Sequence, residues 1–123
     1  IIGSGIIGEI RATNDITAFA ASDRTLKENI QPIENALDKV KSINGVTYDW
    51  KDEYIERRGG EDGTFVRKHD IGVIAQDVEQ VFPEIVAERD DGTKAVKYER
   101  LVSVLIEAVK ELSAEIDELK KNK

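Results

Sequence analysis

Cysteine and methionine are absent from this 123-residue chain, and histidine occurs only once. Without cysteine the chain has no disulfides, no thiolate nucleophile and no cysteine zinc site, which leaves its redox compartment open. One histidine alone cannot build a metal site or a histidine-based triad. We therefore expect no metal and no cofactor. The stretch Ser22–Ile30 holds one candidate hydroxyl nucleophile, Ser22, and one candidate amine base, Lys27.

The chain also lacks an excess of positive charge. It contains 18 Lys and Arg against 25 Asp and Glu, so its formal net charge is −7. This balance argues against nucleic acid or an anionic membrane as the main partner. The apolar start, residues 1–7, is too short and too rich in glycine to span a bilayer, and it lacks the basic leader of a signal peptide. Since no methionine begins the chain, we expect the natural polypeptide to continue upstream.

Glycine and β-branched residues dominate residues 1–21. The G-x-G-x-x-G at residues 3–8 matches a dinucleotide fingerprint, but such a loop must open a helix within a βαβ unit, and the residues after it have β character. Nucleotide binding is therefore disfavoured. The spacing of Ile10-x-Ala12 and Ile16-x-Ala18 suggests one six-residue repeat of a β-structured stalk. An ordinary strand or a disordered lead-in remains an equal alternative.

Residues 22–97 predict a small mixed α+β domain. Pro32 suits the first turn of a helix whose apolar face runs to Ile43. Alternation from Val46 predicts a half-buried strand to about Tyr54. After the glycine-rich turn at Arg58–Gly63, β character resumes at Thr64–Val66, so that the two strands would form a long hairpin.

The second half of this domain continues the mixed pattern. Ile71 begins a stretch typical of a buried strand end that turns into a short helix, and Pro83 ends that helix. Residues 85–96 predict a second hairpin, with its turn at Asp90–Gly92.

Residues 98–123 predict one long helix that associates with copies of itself. Its apolar residues step by 3, 4, 3, 4 and 3, an a/d heptad pattern typical of a coiled coil. We call these residues the seam: Val102, Leu105, Val109, Leu112, Ile116 and Leu119. Valine and isoleucine at a with leucine at d favour a parallel dimer by themselves. A monomeric helix folded back on its own domain is the alternative.

Ser22 and Lys27 lie five residues apart at the junction between the first segment and the mixed domain. An offset of five puts two side chains on opposite faces of a strand and roughly 140° apart around a helix. To meet, this pair needs an irregular turn or a partner from a neighbouring subunit. The alternative is an ordinary turn at Ser22-Asp23, with Lys27 in solvent.

Four blocks of sequence together resemble the intramolecular chaperone of endosialidase domain of phage tailspikes and tail fibres. They are SDRTLKENI at Ser22–Ile30, NGVTYDW at Asn44–Trp50, IGVIAQDVEQVFPEIV at Ile71–Val86 and KAVKYERLVSVLIEAVKEL at Lys94–Leu112. One departure is Thr25, where the family often carries a charged residue.

The resemblance implies that three copies assemble as a homotrimer, guide the upstream fibre segment of the same polypeptide into a trimer, and then cut themselves off between Ala21 and Ser22. It assigns the nucleophile to Ser22 and the base to Lys27, a serine–lysine dyad that turns over once. It also implies a virion tail fibre or tailspike precursor assembled in the host bacterial cytoplasm. A structural trimerisation cap that never cuts is the alternative.

Overall fold

The computed structural model of the chain describes residues 8–123, so the glycine motif at residues 3–8 lies almost entirely outside the described residues. The chain divides into two compact units, each built from two stretches. The first contains residues 8–30 and Thr47–Asp70, and the second contains Gln31–Val46 and Ile71–Lys123. The division into stalk, chaperone domain and oligomerisation helix, with boundaries after residues 21 and 97, stays a prediction.

The first unit contains helix α2 (Asp52–Arg57), strand β1 (Val46–Asp49) except for its first residue, and the first half of strand β2 (His69–Gly72). β1 and β2 form a two-stranded sheet. Trp50 follows β1 and extends the pairing, since its backbone N–H donates to the carbonyl of Lys68 at 2.9 Å. Its indole lies between the rings of Tyr48 and Tyr54, with centroids 5.0 and 5.1 Å away.

The predicted strand from Val46 to Tyr54 is wrong in its second half, because the chain enters α2 at Asp52. Aromatic residues raised the β character of this stretch, but Tyr54 packs on Trp50 from a helix. Asp52 and Glu53 in the first turn, with Arg57 in the last, complement the helix dipole. Two glycines with positive φ, Gly59 and Gly60, then end the helix.

The partner predicted for β1, Thr64–Val66, is also wrong, because no strand occurs there and β2 pairs with β1 instead. A tight loop replaces the expected strand. Asp62 Oδ1 accepts hydrogen bonds from three consecutive backbone amides, those of Thr64, Phe65 and Val66. Val66 is fully buried although it is not in a strand.

The second unit has the larger core, in which helix α3 (Ala75–Val81) packs near strands β3 and β4 and the long helix α4 (Leu101–Lys121). Four buried side chains form its centre: Val78, Phe82, Ile85 and Val104. As the sequence predicts, β2 is followed by the short helix α3, which ends before Pro83. Ile71, however, is 73% exposed, so the strand end predicted to be buried is not.

Helix α1 (Ala36–Lys41) is shorter than the helix predicted from Pro32. Asn35 adopts a left-handed conformation with φ of 55°, which an α-helix cannot pass through. The side chain of Asn35 does not cap α1. Instead Glu111 of α4 accepts the backbone N–H of Ala36 at 2.7 Å, and its other carboxylate oxygen lies 3.4 Å from that of Leu37.

The predicted hairpin of residues 85–96 is confirmed. Strands β3 (Val86–Glu88) and β4 (Lys94–Val96) are antiparallel, with Val86 opposite Val96 and Glu88 opposite Lys94. Gly92 adopts the positive φ that the tight turn requires. Both carboxylate oxygens of Glu79 on α3 lie within 2.8 Å of Lys94 Nζ, which fastens the hairpin to that helix.

The predicted C-terminal helix is confirmed as α4, and a 3₁₀ turn at Tyr98–Arg100 leads into it. Val104 and Ala108 bury one face of α4 within the second unit. All the described elements together give the small mixed α+β class expected from the sequence. Across residues 8–123 we find no helix that combines the length and apolar character needed to cross a membrane.

Residues 8–21 contain no strand, so the β structure expected there is not present in the single chain. A strand needs a hydrogen-bonding neighbour, and alternating β-branched residues do not supply one. Arg11 ties this segment to the first unit by donating to the carbonyl of Arg58 at 2.9 Å. Ile16 and Phe19 remain exposed.

Candidate functional site

An irregular turn lies between Ser22 and Lys27. Residues Arg24–Leu26 form one turn of 3₁₀ helix, closed by the N–H of Leu26 donating to the carbonyl of Asp23 at 3.0 Å. The N–H of Lys27 donates in the same way to the carbonyl of Arg24 at 3.1 Å. Asp23 and Lys27 themselves are extended, so the chain enters and leaves the turn as a strand would.

The Asp23 side chain holds this turn from within. Its Oδ1 accepts the backbone N–H of Thr25 at 2.9 Å and the hydroxyl of Thr25 at 2.8 Å. These two hydrogen bonds, first the one from the amide and then the one from the hydroxyl, lower the pKa of the Asp23 carboxyl from its ordinary value. The carboxylate is therefore the form that fits the turn.

The turn brings the two candidate groups together. Lys27 Nζ donates a hydrogen bond to Ser22 Oγ across 2.8 Å. Of the two routes considered from the sequence, the irregular turn suffices, and no lysine from a neighbouring subunit is needed for the contact. Ala21, the other residue of the cleavage bond predicted from the sequence, directly precedes Ser22 in the exposed segment.

The pair has the geometry of a nucleophile and a base, but it is exposed in the single chain. A lysine amine in water carries a proton at neutral pH and can then only donate. To take the proton of a serine hydroxyl, the amine must be neutral, and loss of water around it favours that form.

Apolar side chains around this turn are left uncovered. Phe19 is 96% exposed and Leu26 is 72% exposed, and Ile16 and Ile30 are also exposed. Large apolar groups at this level of exposure, clustered in one short segment, are typical of a surface that another chain covers.

The seam of α4 is uncovered as well. Its members are between 45% and 68% exposed, whereas Val104 on a neighbouring face of the helix is 1% exposed. The helix thus carries two apolar faces, one packed within its own unit and one directed to solvent. The single chain brings the seam residues together on one exposed face and brings Ser22 to Lys27.

Sequence reasoning missed the roles of Asp23 and Thr25. The signal was present, since aspartate followed two residues later by a residue with both an amide and a hydroxyl donor is typical of a side-chain-capped turn. Among residues 8–123 no group of three or more His, Asp or Glu side chains is arranged to hold a metal ion.

Comparison with known proteins identifies a family to which the chain is similar. The family model described as the chaperone of endosialidase, a peptidase family by its name, matches residues 22–87, which is more than half of the chain. The match begins at Ser22 and includes Lys27.

Long tail fibre proteins of phages are similar over most of the chain. The long tail fibre protein Gp37 of Enterobacteria phage K3 is 43% identical over 119 residues, covering 91% of this chain and 9% of its own length. That of Enterobacteria phage T2 is also 43% identical, covering 91% and 8%, and that of Salmonella phage S16 is 38% identical over 104 residues, covering 82% and 13%. This chain therefore spans only a small part of these relatives. By its family match, the chain belongs to the chaperone of endosialidase family.

Proposed function

We propose that the chain is the self-cleaving chaperone portion of a phage tail fibre polypeptide. Three copies assemble through the seam, align the upstream fibre segment of the same polypeptide, and then cleave the bond between Ala21 and Ser22. The single observation that carries the cleavage step is the 2.8 Å contact between Lys27 Nζ and Ser22 Oγ. Family membership and the tail fibre names of the relatives support the chaperone role and a place in the virion.

In the proposed reaction, Ser22 Oγ gives its proton to neutral Lys27 Nζ and forms a bond to the carbonyl carbon of Ala21. The C–N bond between Ala21 and Ser22 then breaks, and the Ser22 nitrogen takes the proton. Water hydrolyses the resulting ester, which leaves a carboxylate on Ala21 and restores the Ser22 hydroxyl. Activation of a water molecule by the same two groups would give the same products.

Assembly supplies what the single chain lacks. Phe19 and Leu26 are apolar and exposed in one copy, and their burial between copies would remove water from the neighbourhood of Ser22 and Lys27. The exposed seam supplies the surface through which copies associate. Cleavage would then follow correct assembly in the host cytoplasm and occur once per chain.

The test is release of residues 1–21 from the 123-residue chain, measured by mass spectrometry and denaturing electrophoresis. We expect Ser22→Ala and Lys27→Ala to abolish release. Lys27→Arg keeps the positive charge but cannot become neutral, so it should be equally inactive. The matched controls Ser113→Ala and Lys121→Ala change exposed residues of α4 and should cleave as the parent chain does.

Hydroxylamine separates the two routes. If an ester forms, hydroxylamine accelerates release and leaves a hydroxamate on Ala21. Cleavage of the Ser22→Ala chain at the same bond would contradict the proposed chemistry altogether.

A structural trimerisation cap that does not cut is the second candidate. The exposed seam favours it, because that surface requires a partner whether or not a bond is broken. Assembled, uncut material from the parent chain would support this candidate.

A further inference from the structure

We propose that Asp23 and Thr25 are positioning residues, which together hold Lys27 against Ser22. We call their two hydrogen bonds the clasp: Asp23 Oδ1 accepts the N–H of Thr25 at 2.9 Å and its hydroxyl at 2.8 Å. The inference rests on the proposed function, and it assigns to the clasp the geometry on which the cleavage step depends.

The need for a clasp follows from the spacing of the pair. Five residues of extended chain rise about 16 Å, at roughly 3.3 Å per residue, so an unfolded segment would hold the two side chains well apart. The 3₁₀ turn at Arg24–Leu26 shortens this path, because its rise is only about 2 Å per residue. Ser22 Oγ and Lys27 Nζ meet only while this turn is folded.

The turn has two backbone hydrogen bonds of its own, from Leu26 to Asp23 and from Lys27 to Arg24, and the clasp adds to them. None of the residues Arg24–Leu26 is buried, so packing within the single chain does not fix them. An isolated helical turn is unfavourable in water, since several backbone angles are fixed for very few hydrogen bonds. The clasp adds two hydrogen bonds to a carboxylate, and bonds to charged groups are the stronger kind.

The clasp could act through its shape or through its charge, and substitutions separate the two. Asp23→Asn keeps an oxygen that accepts both hydrogen bonds but removes the charge. Asp23→Ala removes both. Thr25→Val removes only the hydroxyl donor and keeps the β-branched shape, and Thr25→Ser restores the donor. Asp91 Oδ1 likewise accepts the backbone N–H and the hydroxyl of Thr93. Thr93→Val is therefore a matched control in the second unit.

The first experiment measures the rate of release of residues 1–21 as a function of pH. We expect Asp23→Ala to cleave at least about tenfold more slowly and Thr25→Val several-fold more slowly, whereas Asp23→Asn and Thr25→Ser stay within about threefold of the parent. Thr93→Val should match the parent. Because the clasp sets geometry and not the charge of the amine, the midpoint of the pH–rate profile should not move.

The second measurement does not depend on cleavage. It uses dilute chains that keep Ser22, in which the contact between Lys27 and Ser22 gives an NMR cross-peak between the Lys27 ε-protons and the Ser22 β-protons. This cross-peak should persist in Asp23→Asn and vanish in Asp23→Ala. Its persistence in Asp23→Ala, or equal slowing of cleavage in Asp23→Asn and Asp23→Ala, would overturn the positioning role. Unchanged cleavage of Ser22→Ala would instead defeat the proposed function and leave the NMR test valid.

Discussion

At the scale of residues, aspartate organises three separate turns of this chain. Asp23 and Asp91 each accept the amide and the hydroxyl of a threonine two residues later. Asp62 accepts three consecutive amides. In each case a carboxylate oxygen pairs with backbone donors that would otherwise need water or a strand. Order in these exposed segments therefore depends on a side-chain oxygen that accepts these hydrogen bonds.

Asp62 gives a pH-dependent prediction. The amides of Val66 and Thr64 are the main causes that lower the pKa of this carboxyl from its ordinary value. A carboxyl with a depressed pKa in the folded state contributes stability above its unfolded pKa, and loses it as the pH falls through the folded value. The loop at residues 62–66 should therefore loosen only below about pH 4, the ordinary range of aspartate.

The measurement is an NMR titration of the amide shifts of residues 64–66. We expect their common midpoint to lie below that of an ordinary aspartate. Asp62→Asn keeps the acceptor but cannot titrate, so its loop amides should show no such step. A midpoint at or above the ordinary aspartate value would contradict this reading of the loop.

At the scale of elements, helix α4 separates two tasks on two faces. Val104 packs with Val78, Phe82 and Ile85 in the core of the second unit. Val109 on the seam is 62% exposed. The two valines allow the same substitution to test each face.

We expect Val104→Ala to lower the free energy of unfolding of the dilute chain by about 2 kcal/mol, because it removes buried methyl groups and leaves a cavity. Val109→Ala should change that quantity little, yet weaken self-association. Urea unfolding at low concentration and analytical ultracentrifugation at high concentration measure the two effects. Equal loss of monomer stability in both variants would contradict the assignment of the faces.

The sequence predicted elements well where local signals agreed with the fold. The heptad period of α4 and the turn of the β3–β4 hairpin are examples, since both depend on nearby residues. Helix α2 was missed because the aromatic residues of its stretch pack as a cluster, which alternation alone cannot distinguish from a strand. The shortening of α1 depends on Asn35 and on Glu111, which is 75 residues away from Ala36 in sequence.

The candidate site, too, could be predicted only in part from the sequence. The need for an irregular turn follows from the spacing of Ser22 and Lys27, whereas the roles predicted for the two residues come from the resemblance to the family. The clasp that shapes the turn is seen only in the structure, because several side chains of this segment could have capped the turn. The exposure of Phe19 and Leu26 likewise requires the folded chain, since no sequence pattern separates them from core residues.

At the scale of the whole molecule, we predict that cleavage depends on concentration. If burial between copies is what removes water from Lys27, then the rate of release of residues 1–21 should rise with chain concentration and level off once assembly is complete. Leu112→Asp should weaken assembly and move this curve to higher concentration, because a charge would enter the seam. Glu118→Asp, also on α4, is the control.

Cleavage at one rate from the most dilute to the most concentrated sample would show that single chains react. The coupling between assembly and cleavage would then be wrong, even if Ser22 and Lys27 were the reacting groups. Sedimentation of the same samples decides whether the range of concentrations included the single chain.

The carboxylate of Glu111 at the start of α1 has one more consequence. A slip of α4 by one helical turn would move Glu111 about 5.4 Å along the axis, out of reach of the amide of Ala36. This hydrogen bond therefore fixes the position of α4 along its axis relative to the start of α1. If copies align their seams, the second units packed on those helices must therefore also lie at the same level along the common axis.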